Sequence, residues 1–107
     1  MDNKKIKRIV KKYVLILKQI IKPQLIVLYG SYNNGKPNKY SDVDLAVFMK
    51  KKQVKNYLET EKVLYKLSGQ IDSRLEPNLF FIEDVNKKEP ASFVNEILRV
   101  GKIVYSV

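Results

Sequence analysis

The sequence predicts a small α/β fold in the α+β sense, a mixed sheet flanked by helices. Three observations predict it. Leu25-Ile26-Val27-Leu28-Tyr29 and Leu45-Ala46-Val47-Phe48-Met49 are apolar runs of strand length. Between them lies a turn-rich interval opened by Gly30-Ser31 and closed by Asp42-Val43-Asp44. Helix-period segments and further short strands then alternate, giving the order helix, strand, glycine loop, strand, helix, strand, helix, strand.

Taking the elements in order, Ile6, Ile9, Val10, Tyr13, Val14, Leu17, Ile20 and Ile21 recur at steps of three and four. That spacing predicts an amphipathic helix, with Asp2 or Asn3 as its cap and Pro23 as its stop. The lysines at 4, 5, 7, 11, 12 and 18 mostly fall on the opposite, solvated face. Residues 24–29 read as a strand buried on both faces. Residues 42–49 read as a second strand, in which Asp42, Asp44, Ala46 and Phe48 share one face and Val43, Leu45, Val47 and Met49 the other. The second set is wholly apolar and should face helices. Both aspartates then lie at one end of one face, about 7 Å apart along the strand.

Val54, Tyr57, Leu58, Val63, Leu64, Tyr65 and Leu67 predict a second helix that ends at Ser68-Gly69. Gln70 to Glu76 reads as a third strand, broken at Pro77 and resuming through Leu79-Phe80-Phe81-Ile82. Asp72, Arg74 and Glu76 share parity within it. Phe93, Val94, Ile97 and Leu98 mark a short helix closed by Gly101, and Ile103-Val104-Tyr105 a last strand. No linker or repeat interrupts the chain, so residues 1–107 are expected to form a single domain.

Composition narrows the chemistry. The chain has no cysteine and no histidine, so thiolate sites, disulfides and the commonest general base are excluded. A metal site must use oxygen ligands, which favours Mg²⁺ or Mn²⁺ over Zn²⁺. The apolar stretch Tyr13–Leu17 stops at Lys18, far short of the roughly 20 residues of a membrane span, and no signal-peptide cleavage pattern follows it. A cytoplasmic location is expected. The net charge of +10 suits an anionic partner. Because 18 of the 21 basic residues are lysines, a solvated surface accounts for that charge better than specific nucleic-acid binding.

The glycine turn and the Asp-x-Asp pair together suit binding of a nucleoside triphosphate and its cations. Gly30 lets backbone amides approach a phosphate, and Ser31 offers an amide and a hydroxyl. Nucleotidyl transfer rests on positioning and on neutralising phosphate charge, commonly with two metal ions that need several converging carboxylates. Asp42 and Asp44 supply two. The best-placed third is Asp72 on the neighbouring strand, with Glu76 of the same parity as runner-up.

The pattern Gly30-Ser31, ten residues, Asp42-Val43-Asp44 resembles the signature of the DNA polymerase beta-like nucleotidyltransferase superfamily. Within it, the chain is similar to the minimal nucleotidyltransferases, the antitoxin partners of HEPN-domain toxins, over nearly its whole length. Gln70-Ile71-Asp72-Ser73-Arg74-Leu75 also resembles the superfamily strand that carries the third carboxylate, which favours Asp72 over Glu76. The resemblance implies a polymerase beta-like fold in the form of a single minimal nucleotidyltransferase domain over 1–107. It implies Asp42, Asp44 and Asp72 as catalytic residues and ligands of two Mg²⁺ or Mn²⁺ ions. Gly30 and Ser31, with Asp42 and Asp44, would hold ATP as the nucleotide donor, and Asp72 would help deprotonate the acceptor. One departure concerns activity: family members often carry Ala-Arg or Ala-Lys after Gly-Ser-x, where this chain has Asn33-Asn34 before Gly35.

Larger relatives carry a further domain for the acceptor, so here the acceptor is expected on another chain. By resemblance that partner is a HEPN ribonuclease toxin, silenced when AMP is transferred to one of its tyrosines. Two alternatives belong to other classes: an antitoxin that neutralises by contact alone, and a basic nucleic-acid-binding module with steep salt dependence.

Overall fold

The computed structural model of the chain describes residues 3–30, 43–86 and 92–107. Asp2, Ser31 and Asp42 lie outside the described residues, as do Asn33 and Asn34.

The first helix, α1 (Asn3–Ile20), follows from the predicted spacing. Ile6, Val10, Tyr13, Val14 and Leu17 are buried, while Lys4, Lys5, Lys7, Lys11 and Lys12 are exposed. Each buried aliphatic side chain contributes about 1.5–3 kcal/mol. Tyr13, fully buried, satisfies its hydroxyl by donating to the Leu64 carbonyl at 3.0 Å. Burial pushes its pKa far up, which suits a hydroxyl kept neutral in a core.

Strands β1 (Leu25–Tyr29) and β2 (Val43–Met49) follow, then a short 3₁₀ turn at Lys51–Gln53. Helix α2 (Tyr57–Ile71) is capped by Asn56, whose side chain accepts from the Glu59 amide at 3.1 Å. Strand β3 (Leu75–Phe81), a 3₁₀ turn at Ile82–Asn86, helix α3 (Phe93–Val100) and strand β4 (Lys102–Ser106) complete the described elements. The strand order is β3-β2-β1-β4. β1 pairs antiparallel with both neighbours, whereas β2 and β3 are parallel. A parallel pair requires a crossover, and α2 provides it.

The expected parity of β2 is observed. Val43, Leu45, Val47 and Met49 are buried in a cluster with residues of α1 and α2, including Val10, Leu17, Leu64 and Leu67. The opposite face carries Ala46 and Phe48 in a second cluster with Val27 of β1 and Ile97 of α3. Ile26 and Val27 are adjacent and both fully buried, so the central strand β1 is covered on both sides.

The third strand differs from expectation. It begins at Leu75, not Gln70, because α2 runs two residues past Gly69 to Ile71. A helical glycine costs about 1 kcal/mol relative to alanine, and packing of Leu67 and Ile71 against the core outweighs it. Pro77 does not break β3 either. The Val43 amide donates to the Arg74 carbonyl at 2.7 Å, which turns residues 74, 76 and 78 toward β2 and leaves the missing Pro77 N–H on the outer edge of an edge strand. On that edge the Tyr57 hydroxyl donates to the Leu79 carbonyl at 2.7 Å.

Candidate active site

Gly30 ends β1 in a left-handed conformation, φ +86°. A side chain there would be strained by the backbone alone. A Cβ would also run into the carboxylate oxygen of Asp44. The glycine is thus required twice, once by the turn and once by the acidic residue pressed against it. The two motifs at opposite ends of the turn-rich interval meet in space.

Asp44 lies in a row that crosses three strands. Its antiparallel partner on β1 is Tyr29, and its parallel partner on β3 is Glu76. Neighbouring strands are about 4.8 Å apart, so Asp44 and Glu76 stand side by side on one face. Both are half-buried, and two carboxylates held so close favour a cation between them.

Asp72 occupies a different place. It is the C-cap of α2, its amide donating to the Ser68 carbonyl at 2.9 Å. Its carboxylate accepts from the Arg74 amide at 2.9 Å, from Nε at 3.1 Å and from Nη2 at 3.0 Å. The Arg74 hydrogen bonds hold its pKa below the usual carboxylate value. Asp72 therefore shapes the helix-to-strand turn, and the expectation that it sits on the third strand is corrected. Of the expected residues, Gly30 and Asp44 come together. Ser31 and Asp42 lie outside the described residues.

Two further side chains complete the floor of the site. The Tyr29 hydroxyl accepts a hydrogen bond from Asn78 Nδ2 at 3.1 Å. Since Tyr29 is on β1 and Asn78 on β3, the ring spans the width of β2. It does so beside Ala46, the residue aligned with Asn78, whose small side chain leaves room. Burial raises the Tyr29 pKa, opposed by the Asn78 hydrogen bond and reinforced by the charges of Asp44 and Glu76. Phe93, at the start of α3, meets the Tyr29 ring edge-on with centroids 6.2 Å apart. The position of Tyr29 directly before Gly30 was a visible signal for its role. The reach to Asn78 was not.

The donor set fits a hard divalent cation: carboxylate oxygens only, in a chain without histidine or cysteine. Among the described residues no three acidic side chains close on one point. Among the described residues no helix is long and apolar enough to cross a membrane.

Residues 4–107 match the family model described as Polymerase beta, Nucleotidyltransferase. A Sulfolobus solfataricus protein classed as a nucleotidyltransferase shares the fold, with a TM-score of 0.69 over 94% of this chain and 79% of that one, at 11% identity. A toxin–antitoxin structure with AMP-PNP superposes with a TM-score of 0.54 at 25% identity, over 94% of this chain and 73% of that one. No curated protein matches the chain.

Proposed function

The chain belongs to the Polymerase beta, Nucleotidyltransferase family, and on that premise we propose that it is a protein adenylyltransferase acting as an antitoxin. It transfers AMP from ATP to a tyrosine of a HEPN ribonuclease toxin and so silences it. The observation that carries this reading is the acidic row under the phosphate turn, with Asp44 against Gly30 and beside Glu76. The likeness to a toxin–antitoxin structure with AMP-PNP supports the nucleotide and the kind of partner.

In this reading the backbone at Gly30 and Ser31 holds the triphosphate, and Asp42, Asp44 and Glu76 hold Mg²⁺ or Mn²⁺. When bound, the cations neutralise charge on the transferred phosphoryl group and on the leaving pyrophosphate. The tyrosine oxygen of the partner bonds to the α-phosphorus as the bond to the bridging oxygen of the β-phosphate breaks, and pyrophosphate departs. Glu76 takes the hydroxyl proton. We assign the third carboxylate to Glu76 in place of Asp72, because Asp72 is committed to Arg74 at the turn while Glu76 shares a row with Asp44.

The test is labelling of the purified toxin, taken as the product of the adjacent reading frame, with [α-³²P]ATP and Mg²⁺. Label is expected on a toxin tyrosine with the wild-type protein and is expected to vanish with Asp42→Asn or Asp44→Asn. Retained labelling in both variants would sink the mechanism. Full neutralisation by the unlabelled double variant would instead identify an antitoxin that works by contact alone.

A further inference from the structure

Phe93 is 60% exposed although it opens a helix whose Ile97 is buried. Single exposed apolar side chains are ordinary. What sets Phe93 apart is what it rests on. Its ring touches Tyr29 edge-on and lies 6.1 Å from Phe80 in a tilted contact. Phe80 in turn stacks at 5.5 Å on Phe48, which is fully buried. Phe93 is thus the solvent-facing end of an aromatic series anchored in the core, held from one side and open on the other.

Its position relative to the acidic row is equally specific. Tyr29 immediately precedes Gly30 and is the cross-strand partner of Asp44. A nucleoside triphosphate with its phosphates at Gly30 and its α-phosphate at Asp44 can place its base farther along the same face. There the Tyr29 ring forms the floor, and Phe93 stands on that floor. We propose that Phe93 is the stacking surface for the nucleobase of the bound nucleoside triphosphate, an inference that rests on the nucleotidyltransferase reading of Gly30 and Asp44. A stacked ring has no hydrogen-bonding edge, and the neighbouring Asn78 amide is engaged with Tyr29. The contact therefore holds a base by its face without reading which base it is.

The test compares Mg²⁺-ATP with Mg²⁺-tripolyphosphate, which lacks base and ribose, by calorimetry on the full chain. Stacking of a base on an aromatic side chain is worth roughly 5- to 150-fold in affinity. Phe93→Ala should weaken ATP by that factor and leave tripolyphosphate unchanged. The chain has no tryptophan, so Phe93→Trp supplies a lone tryptophan, excited selectively over the tyrosines, that should retain ATP affinity and be quenched by ATP but not by tripolyphosphate. Wild-type ATP affinity in Phe93→Ala, or an unquenched Phe93→Trp, overturns the proposal. So does Phe93→Ala that binds ATP normally but transfers slowly, which would assign the ring to the acceptor. A wild-type chain that binds neither ligand would instead refute the underlying nucleotide reading.

Discussion

The two faces of the sheet are built from alternate residues of one strand and serve opposite ends. The odd positions of β2, from Val43 to Met49, are sealed under α1 and α2. On the even positions Ala46 and Phe48 are sealed by the α3 side, but Asp44 at the same face's upper end stays half-buried. One side is therefore a closed apolar layer, and the other is a core that stops one step short of the strand's beginning. The lesson is that stability and chemistry are separated by parity: moving one residue along β2 moves from one task to the other.

The sharpest way to break this contrast is Asp44→Asn, which keeps shape and removes charge. Loss of an electrostatic contact of this kind costs roughly 100- to 1000-fold in transfer. The melting temperature should stay near wild type, because the substitution keeps the side chain's shape at a half-buried position. Parallel rate and thermal-melt measurements check it, and a large loss of stability in this variant would erase the distinction.

Leu45→Ala is the complementary substitution on the sealed face. Leu45 is fully buried, so truncation should cost about 2–5 kcal/mol in urea unfolding. The transfer rate per folded molecule should stay near wild type.

Gly30→Ala joins the two effects. The left-handed backbone costs about 1–3 kcal/mol, and the new methyl displaces the Asp44 carboxylate, so stability and rate should fall together.

The smallest effect separates Asp72 from the acidic row. Arg74 lowers the Asp72 pKa in the folded state. The stability this contributes is present above the unfolded carboxylate value near 3.9 and is lost as pH falls through the folded value. Asp72→Asn should cost about 1 kcal/mol at neutral pH and flatten the acid limb of the stability profile.

Much of this was legible from residues alone. The period of α1, the two-sided burial of β1 and the parity of β2 all follow from local pattern, and Gly30 with Asp44 carried a recognisable spacing. The start of the third strand was not, for a physical reason. Ser68-Gly69 looks like a helix end, yet exposed Gly69 meets nothing a side chain would disturb, and the helix continues because Ile71 still reaches the core. The strand then starts late, and Glu76 comes level with Asp44 while Asp72 is left at the turn. Parity within a segment cannot reveal such a shift. The Tyr29–Asn78 hydrogen bond joins residues 49 positions apart and depends on Ala46 being small, which no local pattern announces.

Mn²⁺ binding followed by electron paramagnetic resonance, with AMP-PNP present, tests the central claim most directly and needs no acceptor. With the carboxylates in one row, Glu76→Gln and Asp44→Asn should each weaken Mn²⁺ by at least about 10- to 100-fold, while Asp72→Asn binds as the wild type does. Wild-type binding in Glu76→Gln together with loss in Asp72→Asn would contradict the assignment.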